Sequence, residues 1–234
     1  MKEQSFTVKE LDSLVMTVEL TLVSIVQGVA LSVLVAPSIT VVTGLDFALL
    51  PYVVSGLIVI LLFWSRSLLH TFTVIRWPLE FGHNFLYIAS TLLESIVFSQ
   101  LASPLRWFAL SALYGLSIWL LFAIDLGMIR RRLAEYNLPG ALALLRAVER
   151  EQLLNLRLLM PTTVLFSAAA AYLIYRSPEL FIGRQFHAAI GVAQALCAAG
   201  YLAYSIRFYK RLIPLIVAAQ YEWNGEEMHK TGDG

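Results

Sequence analysis

Charged residues and cysteine are scarce in this chain of 234 residues. Only 14% of the residues are charged, against about 25% in an average soluble domain. The formal net charge is +1, so the chain lacks the strongly basic balance typical of nucleic-acid binding, and we predict no nucleic-acid partner. The single cysteine, Cys197, excludes an internal disulfide and a zinc site made of several thiolates. Because it lies in an apolar run, we expect it to be packed in the interior.

Common catalytic motifs are missing as well. The sequence contains no G-x-S-x-G, no H-E-x-x-H and no Walker loop. The Glu-x-x-His spacing of carboxylate di-iron bundles occurs twice, at Glu80–His83 and Glu226–His229. A four-residue pattern often recurs by chance, and we interpret both copies in that way. We therefore predict no catalytic residue, no cofactor and no metal site.

Apolar residues dominate what is there, at 59% of the chain. The hydrocarbon core of a bilayer is about 30 Å thick and takes about 20 apolar residues per helix. Six runs approach this length, which predicts an all-α polytopic membrane protein with six transmembrane helices in a membrane domain over 14–206. The predicted spans are Leu14–Val35, Phe47–Trp64, Phe85–Leu101, Trp107–Leu126, Pro161–Tyr175 and Ala188–Ile206.

Positive charge is distributed unevenly between the loops. If the N-terminus (1–13) is cytoplasmic, 14 of the 17 Lys and Arg residues lie on the cytoplasmic side, and only Arg106, Arg176 and Arg184 lie outside. The positive-inside rule then places both termini in the cytoplasm, with a C-terminal tail over 207–234. We predict an integral protein of a bacterial cytoplasmic (inner) membrane.

The cytoplasmic linker over 128–157 is long enough to be structured. It begins with three consecutive arginines at 130–132, turns at 137–140 and is predicted to continue as an amphipathic helix with Leu142, Leu145 and Val148 on its apolar face. The arginines are typical of a segment held at anionic headgroups. The same linker is the candidate surface for docking a soluble partner.

The third span carries the densest set of polar residues. They follow the 3,4 spacing of one helical face: Glu80, His83, Asn84, Tyr87, Thr91 and Glu94. An ionisable side chain inside a bilayer costs about 2.5–3.5 kcal/mol, so we expect this face to point into the protein. Pairing between helices and a conduction path both fit the pattern. Gln194 belongs to a similar stripe in the sixth span. Asp125 lies at the end of the fourth span, and we expect Arg130, about one helical turn further along the chain, to neutralise it.

The first span offers a second set of candidates. Ser24 and Gln27 could line a central pore in a ring of first spans, and Leu31 could form an apolar constriction there.

Parts of the sequence resemble the bacterial homologues of the endolysosomal potassium channel. The similar segments are FWSRSLLHTFTVIRW after the second span, Asn84 at the start of the third, and LLNLRLLMPTTVLF before the fifth. Where that family has Arg followed by Phe-Ser-Asp, this chain has KELDSL, and it has no Thr-Val-Gly-Tyr-Gly filter. The resemblance implies six spans, cytoplasmic termini and cation conduction.

We interpret the chain as a membrane ion channel or transport protein for cations or protons that acts as a homo-oligomer in the lipid bilayer. The first alternative is a non-catalytic membrane subunit that docks a soluble partner through 128–157. The second is a membrane enzyme with a carboxylate and histidine site.

Overall fold

The described part of the chain, residues 8–73 and 81–232 of a computed structural model, consists of helices and short connections without strands. The prediction of an all-α fold is confirmed there. The α-helices are α1 (Val8–Thr43), α2 (Leu50–Thr73), α3 (Phe81–Ser99), α4 (Pro104–Glu135), α5 (Pro139–Leu154), α6 (Met160–Arg176) and α7 (His187–Gly232).

In the part of the chain that the structure describes, five helical stretches are long and apolar enough to cross a membrane. They are Leu20–Thr43, Leu50–Leu69, Pro104–Glu135, Pro139–Arg176 and His187–Ala219. These stretches contain most or all of five predicted spans. Helix α3 is not among them, because His83, Asn84 and Glu94 lower the hydropathy of a helix of only 19 residues. The count of six spans therefore stays a prediction.

Helices α5 and α6 follow one another without a break. A π-helical turn, Asn155–Leu159, joins them directly before Pro161. Proline cannot donate a hydrogen bond to the carbonyl four residues earlier, and a local π-turn accommodates the missing bond. The break over 136–138 that separates α4 from α5 overlaps the predicted turn at 137–140, whose last two residues, Pro139 and Gly140, already belong to α5.

The apolar face of α5 packs inside the chain. Leu144 and Val148 of α5 form one buried cluster with Ile129 of α4 and with Leu212 and Ala219 of α7. Of the residues predicted on the apolar face, Leu145 and Val148 are buried and Leu142 is half-buried, whereas Leu144, which was not predicted there, is buried. The apolar face of α5 is therefore covered by α4 and α7.

Helix α7 continues well past the last predicted span. The segment 207–232, predicted as a separate tail, is a continuation of the same helix in spite of Pro214. At 1.5 Å per residue, the 46 residues of α7 rise about 69 Å, more than twice the thickness of a hydrocarbon core. The C-terminal half of α7 packs against α5 and against the C-terminal end of α4, and these three segments extend the bundle.

Candidate functional site

The polar face of α3 points into the protein, as predicted. Glu94 is fully buried, and Thr91, Tyr87 and His83 are each exposed by less than a tenth. Asn84 is half-buried, whereas the opposite face of α3 carries exposed apolar residues such as Phe85. Glu80, the first residue of the predicted stripe, lies outside the described residues.

Glu94 is held by one partner from α1. Gln27 Nε2 donates a hydrogen bond of 3.3 Å to Glu94 Oε2. Within the described part of the chain, Glu94 Oε1 is buried and has no hydrogen-bond partner, and the same is true of Gln27 Oε1. Because an unsatisfied buried polar atom is costly, this oxygen marks Glu94 as a candidate binding group.

A second polar group joins α3 to α4 and α5. His83 Nε2 lies 3.0 Å from Asp125 Oδ1, and Gln152 Nε2 donates to Asp125 Oδ2 at 3.3 Å. The prediction that Arg130 neutralises Asp125 is wrong, because Arg130 pairs with Glu149 at 3.0 Å on the exposed side. Five residues along a helix turn the side chain by about 140°, so Asp125 and Arg130 lie on different faces of α4.

The interior also contains an ion pair that the sequence analysis missed. Arg66 of α2 makes a two-pronged contact with Glu151 of α5, and Arg66 Nη2 donates to Glu151 Oε2 at 2.9 Å. Asn155 Nδ2 donates to Glu151 Oε1 at 2.7 Å, and Tyr201 of α7 donates to Asn155 Oδ1 at 2.9 Å. A signal was present in the sequence, because Ala141, Leu144, Val148, Glu151 and Asn155 follow the same 3,4 spacing as a buried face.

Two polar contacts join the helices at the end of the bundle opposite to these ionic groups. Trp107 Nε1 donates to Gln194 Oε1 at 2.8 Å and so joins α4 to α7. Tyr52 of α2 donates to the carbonyl oxygen of His187 at 3.1 Å, and its hydroxyl also lies 3.1 Å from His187 Nδ1. Gln194 is thus an inward-facing residue, as its stripe predicted.

Residues from most of these groups line a cavity of about 290 Å³ between the helices. Its polar lining includes Arg66, His83, Asn84, Tyr87, Glu94, Asp125, Gln152, Gln194 and Tyr201. The cavity therefore joins the pair formed by Trp107 and Gln194 at one end to the ionic groups at the other, with Glu94 between them. It brings together most of the residues predicted in the third and sixth spans.

One side of the cavity opens between α6 and α7. Thr162 and Thr163 of α6 and Cys197 of α7 line it and are exposed. Helix α6 packs chiefly on α4, and α7 packs chiefly on α2 and α5, so a gap is left between α6 and α7. The expectation that Cys197 is packed in the interior is wrong, because its position faces this gap.

The pore candidates of the first span divide between two faces. Gln27 is buried against α3, whereas Ser24 is exposed and its hydroxyl donates to the Leu20 carbonyl oxygen at 2.8 Å. Leu31 is exposed by 41%. Ser24 and Leu31 therefore do not share a surface with Gln27.

The repeated Glu-x-x-His pattern does not form a metal site among the described residues. Among the residues that the structure describes, no group of three or more His, Cys, Asp or Glu side chains is arranged to hold a metal ion. Of the two copies, Glu80 and the side chains of 226–229 fall outside what is described.

Comparisons with known proteins found no matching family model, no matching curated protein and no matching solved structure.

Proposed function

We propose that this protein transports protons or small cations across a membrane through the cavity of each subunit, with Glu94 as the ion-binding group. The observation that carries the proposal is the placement of Glu94. It is a fully buried carboxylate with one oxygen that has no hydrogen-bond partner in the described part of the chain, and Glu94 borders a cavity lined by further titratable and hydroxyl groups. Ionisable residues inside transmembrane bundles are costly and typically mark ion pathways and proton relays.

The geometry of the cavity supports a relay. His83 and Glu94 lie eleven residues apart on α3, which corresponds to about 16 Å along the helix axis. The hydroxyl of Tyr87 lies on the same face between them. A cavity of 290 Å³ has room for several waters. Side chains and water together are sufficient to bridge the distance between the two titratable groups.

The proposed topology is the six-span arrangement with both termini in the cytoplasm. It counts α3 as a span in addition to the five stretches of the described residues that meet the criteria of length and apolarity. A polar face on α3 fits this role, because that face is covered by α1 and α4 and not by lipid.

Proton flux into liposomes tests the proposal. The purified chain is reconstituted in vesicles with more potassium inside than outside, and valinomycin starts the flux by letting potassium leave. Internal pH is followed with a trapped dye. We expect the wild type to acidify the vesicles and Glu94→Gln to reduce the rate at least about tenfold, the size typical for loss of a proton-transferring group. Glu179→Gln, the same change at an exposed position after α6, serves as the control. Equal rates for wild type and Glu94→Gln would contradict the proposal.

A second candidate function is a central pore between the first helices of a homo-oligomer. It is favoured by a stripe on α1 that is exposed at every step of the 3,4 spacing, at Ser24, Gly28, Leu31 and Val35. In that case Ser24→Trp blocks cation flux while Glu94→Gln leaves it intact. The cavity path predicts the reverse, so the two variants measured side by side separate the candidates.

A further inference from the structure

The walls of the cavity around Glu94 are mainly apolar and aromatic. Phe98 lies one helical turn from Glu94, and its ring is stacked 6.2 Å from that of Trp107. Tyr114 and Phe166 line the same space. Aromatic faces attract organic cations through the ring quadrupole.

The charges inside the cavity also favour a cation. The guanidinium of Arg66 is compensated by Glu151, and its Cζ atom lies 5.1 Å from the centroid of the Phe122 ring. Glu94 has a neutral partner, Gln27, on only one of its oxygens. An anion entering the cavity would therefore meet a carboxylate, whereas a cation would find both a carboxylate and aromatic faces.

The opening of the cavity faces an apolar surface. Next to the gap between α6 and α7, Leu165 and Leu196 are each 68% exposed. In a bilayer this surface contacts lipid tails, so a molecule that dissolves in lipid can reach the cavity sideways. A hydrated inorganic ion has no comparable route from that direction.

We propose that the cavity binds an apolar organic monocation, with its charged group beside Glu94 and its aromatic or alkyl part between Phe98, Trp107 and Phe166. The volume of 290 Å³ suits a small aromatic ammonium compound. The inference rests on the proposed function, because both assign ion binding to Glu94, and it adds the chemical class of a substrate.

Protection of Cys197 tests the inference, because this residue is the only cysteine of the chain and lines the opening. The protein in nanodiscs is labelled with a maleimide at increasing concentrations of benzyltrimethylammonium. We expect the cation to slow labelling of the wild type and the concentration dependence to give a dissociation constant. Glu94→Gln is expected to raise that constant at least about tenfold, and Glu179→Gln to leave it unchanged. Neopentylbenzene, an uncharged analogue of the same shape, is expected to protect at least about tenfold more weakly.

Phe98→Leu provides a variant that keeps the carboxylate and removes one ring. It is expected to weaken protection by the cation about threefold, within the range of a single cation–π contact. Absence of protection in the wild type overturns the inference, and so does equal protection by the neutral analogue. If Glu94→Gln does not fold, an unchanged dissociation constant in Phe98→Leu overturns it instead.

Proton flux measured without the organic cation separates the two proposals. Flux without protection overturns the organic-cation site and leaves proton transport standing. Protection without flux overturns proton transport and supports a binding site alone.

Discussion

Arg66 and Glu151 form an ion pair between two helices that are far apart in the sequence. The side chain of Glu151 is 1% exposed and that of Arg66 is 14% exposed, and Gln152 Oε1 accepts a further hydrogen bond from Arg66 at 3.2 Å. The pair on the outer side of the bundle, Arg130 with Glu149, differs in exposure, since Arg130 is 57% exposed. The two pairs have the same chemistry in different surroundings.

Replacing Arg66 by Met is expected to destabilise the protein by about 3–5 kcal/mol, because the carboxylate of Glu151 would remain buried without its counter-charge. The double variant Arg66→Met/Glu151→Met is expected to recover most of the loss. Arg130→Met serves as the control and is expected to cost about 0–1 kcal/mol. Chemical unfolding in mild detergent measures these free energies. Equal losses for Arg66→Met and Arg130→Met would show that burial of the pair has no energetic weight.

Helices α4 and α6 approach each other closely at Gly115. A Cβ atom at this position would lie 2.9 Å from Val164 Cγ2 of α6. Valine is stiff about χ1 and cannot easily turn away. Gly127 lies on the same helix α4 with nothing within 4 Å of the corresponding position. The two glycines differ in their neighbours and not in their backbone conformation.

Gly115→Ala is therefore expected to lower the free energy of unfolding by about 1–3 kcal/mol relative to Gly127→Ala, because overpacking costs about that much. Gly127→Ala is expected to stabilise the helix by as much as about 1 kcal/mol through helix propensity. Thermal unfolding of the two variants in the same detergent checks the difference. A gain in stability from Gly115→Ala would mean that α4 and α6 separate without cost.

The helices and their buried faces follow from the sequence to a large extent. The 3,4 spacing on α3 was sufficient to predict that Glu94 faces inward, because every residue on a helical face shares its surroundings. The partners of that face were not predictable. Gln27 and Glu94 are 67 positions apart, and nothing local relates Arg66 to Glu151. Local reasoning was wrong at Asp125, where the nearest arginine in sequence points away from it.

The uneven distribution of basic residues predicts how the whole molecule is oriented in a membrane. The proposed topology places 14 positive charges on one side and three on the other, and the opposite orientation would require most of them to cross the membrane. This topology also requires helix α3 to cross, since an even number of spans places both termini on one side.

Cysteines placed singly at Lys2 and Lys230 in a Cys197→Ser background test this orientation. We expect a membrane-impermeant maleimide to label neither position in intact cells and both after permeabilisation. A cysteine at Arg184, which the topology places outside, is the positive control and is expected to react without permeabilisation. Labelling of either terminus in intact cells would contradict the topology.

For the proposed organic cation, the gap between α6 and α7 makes the lipid phase the reservoir from which the cavity fills. Thr162, Thr163 and Cys197 stand at an opening surrounded by exposed leucines. The chemical potential of a ligand at this opening is set by its mole fraction in the bilayer. Occupancy therefore depends on how strongly the ligand partitions into lipid and on the ratio of lipid to protein. Two ligands with identical contacts in the cavity would differ in apparent affinity by the ratio of their partition coefficients.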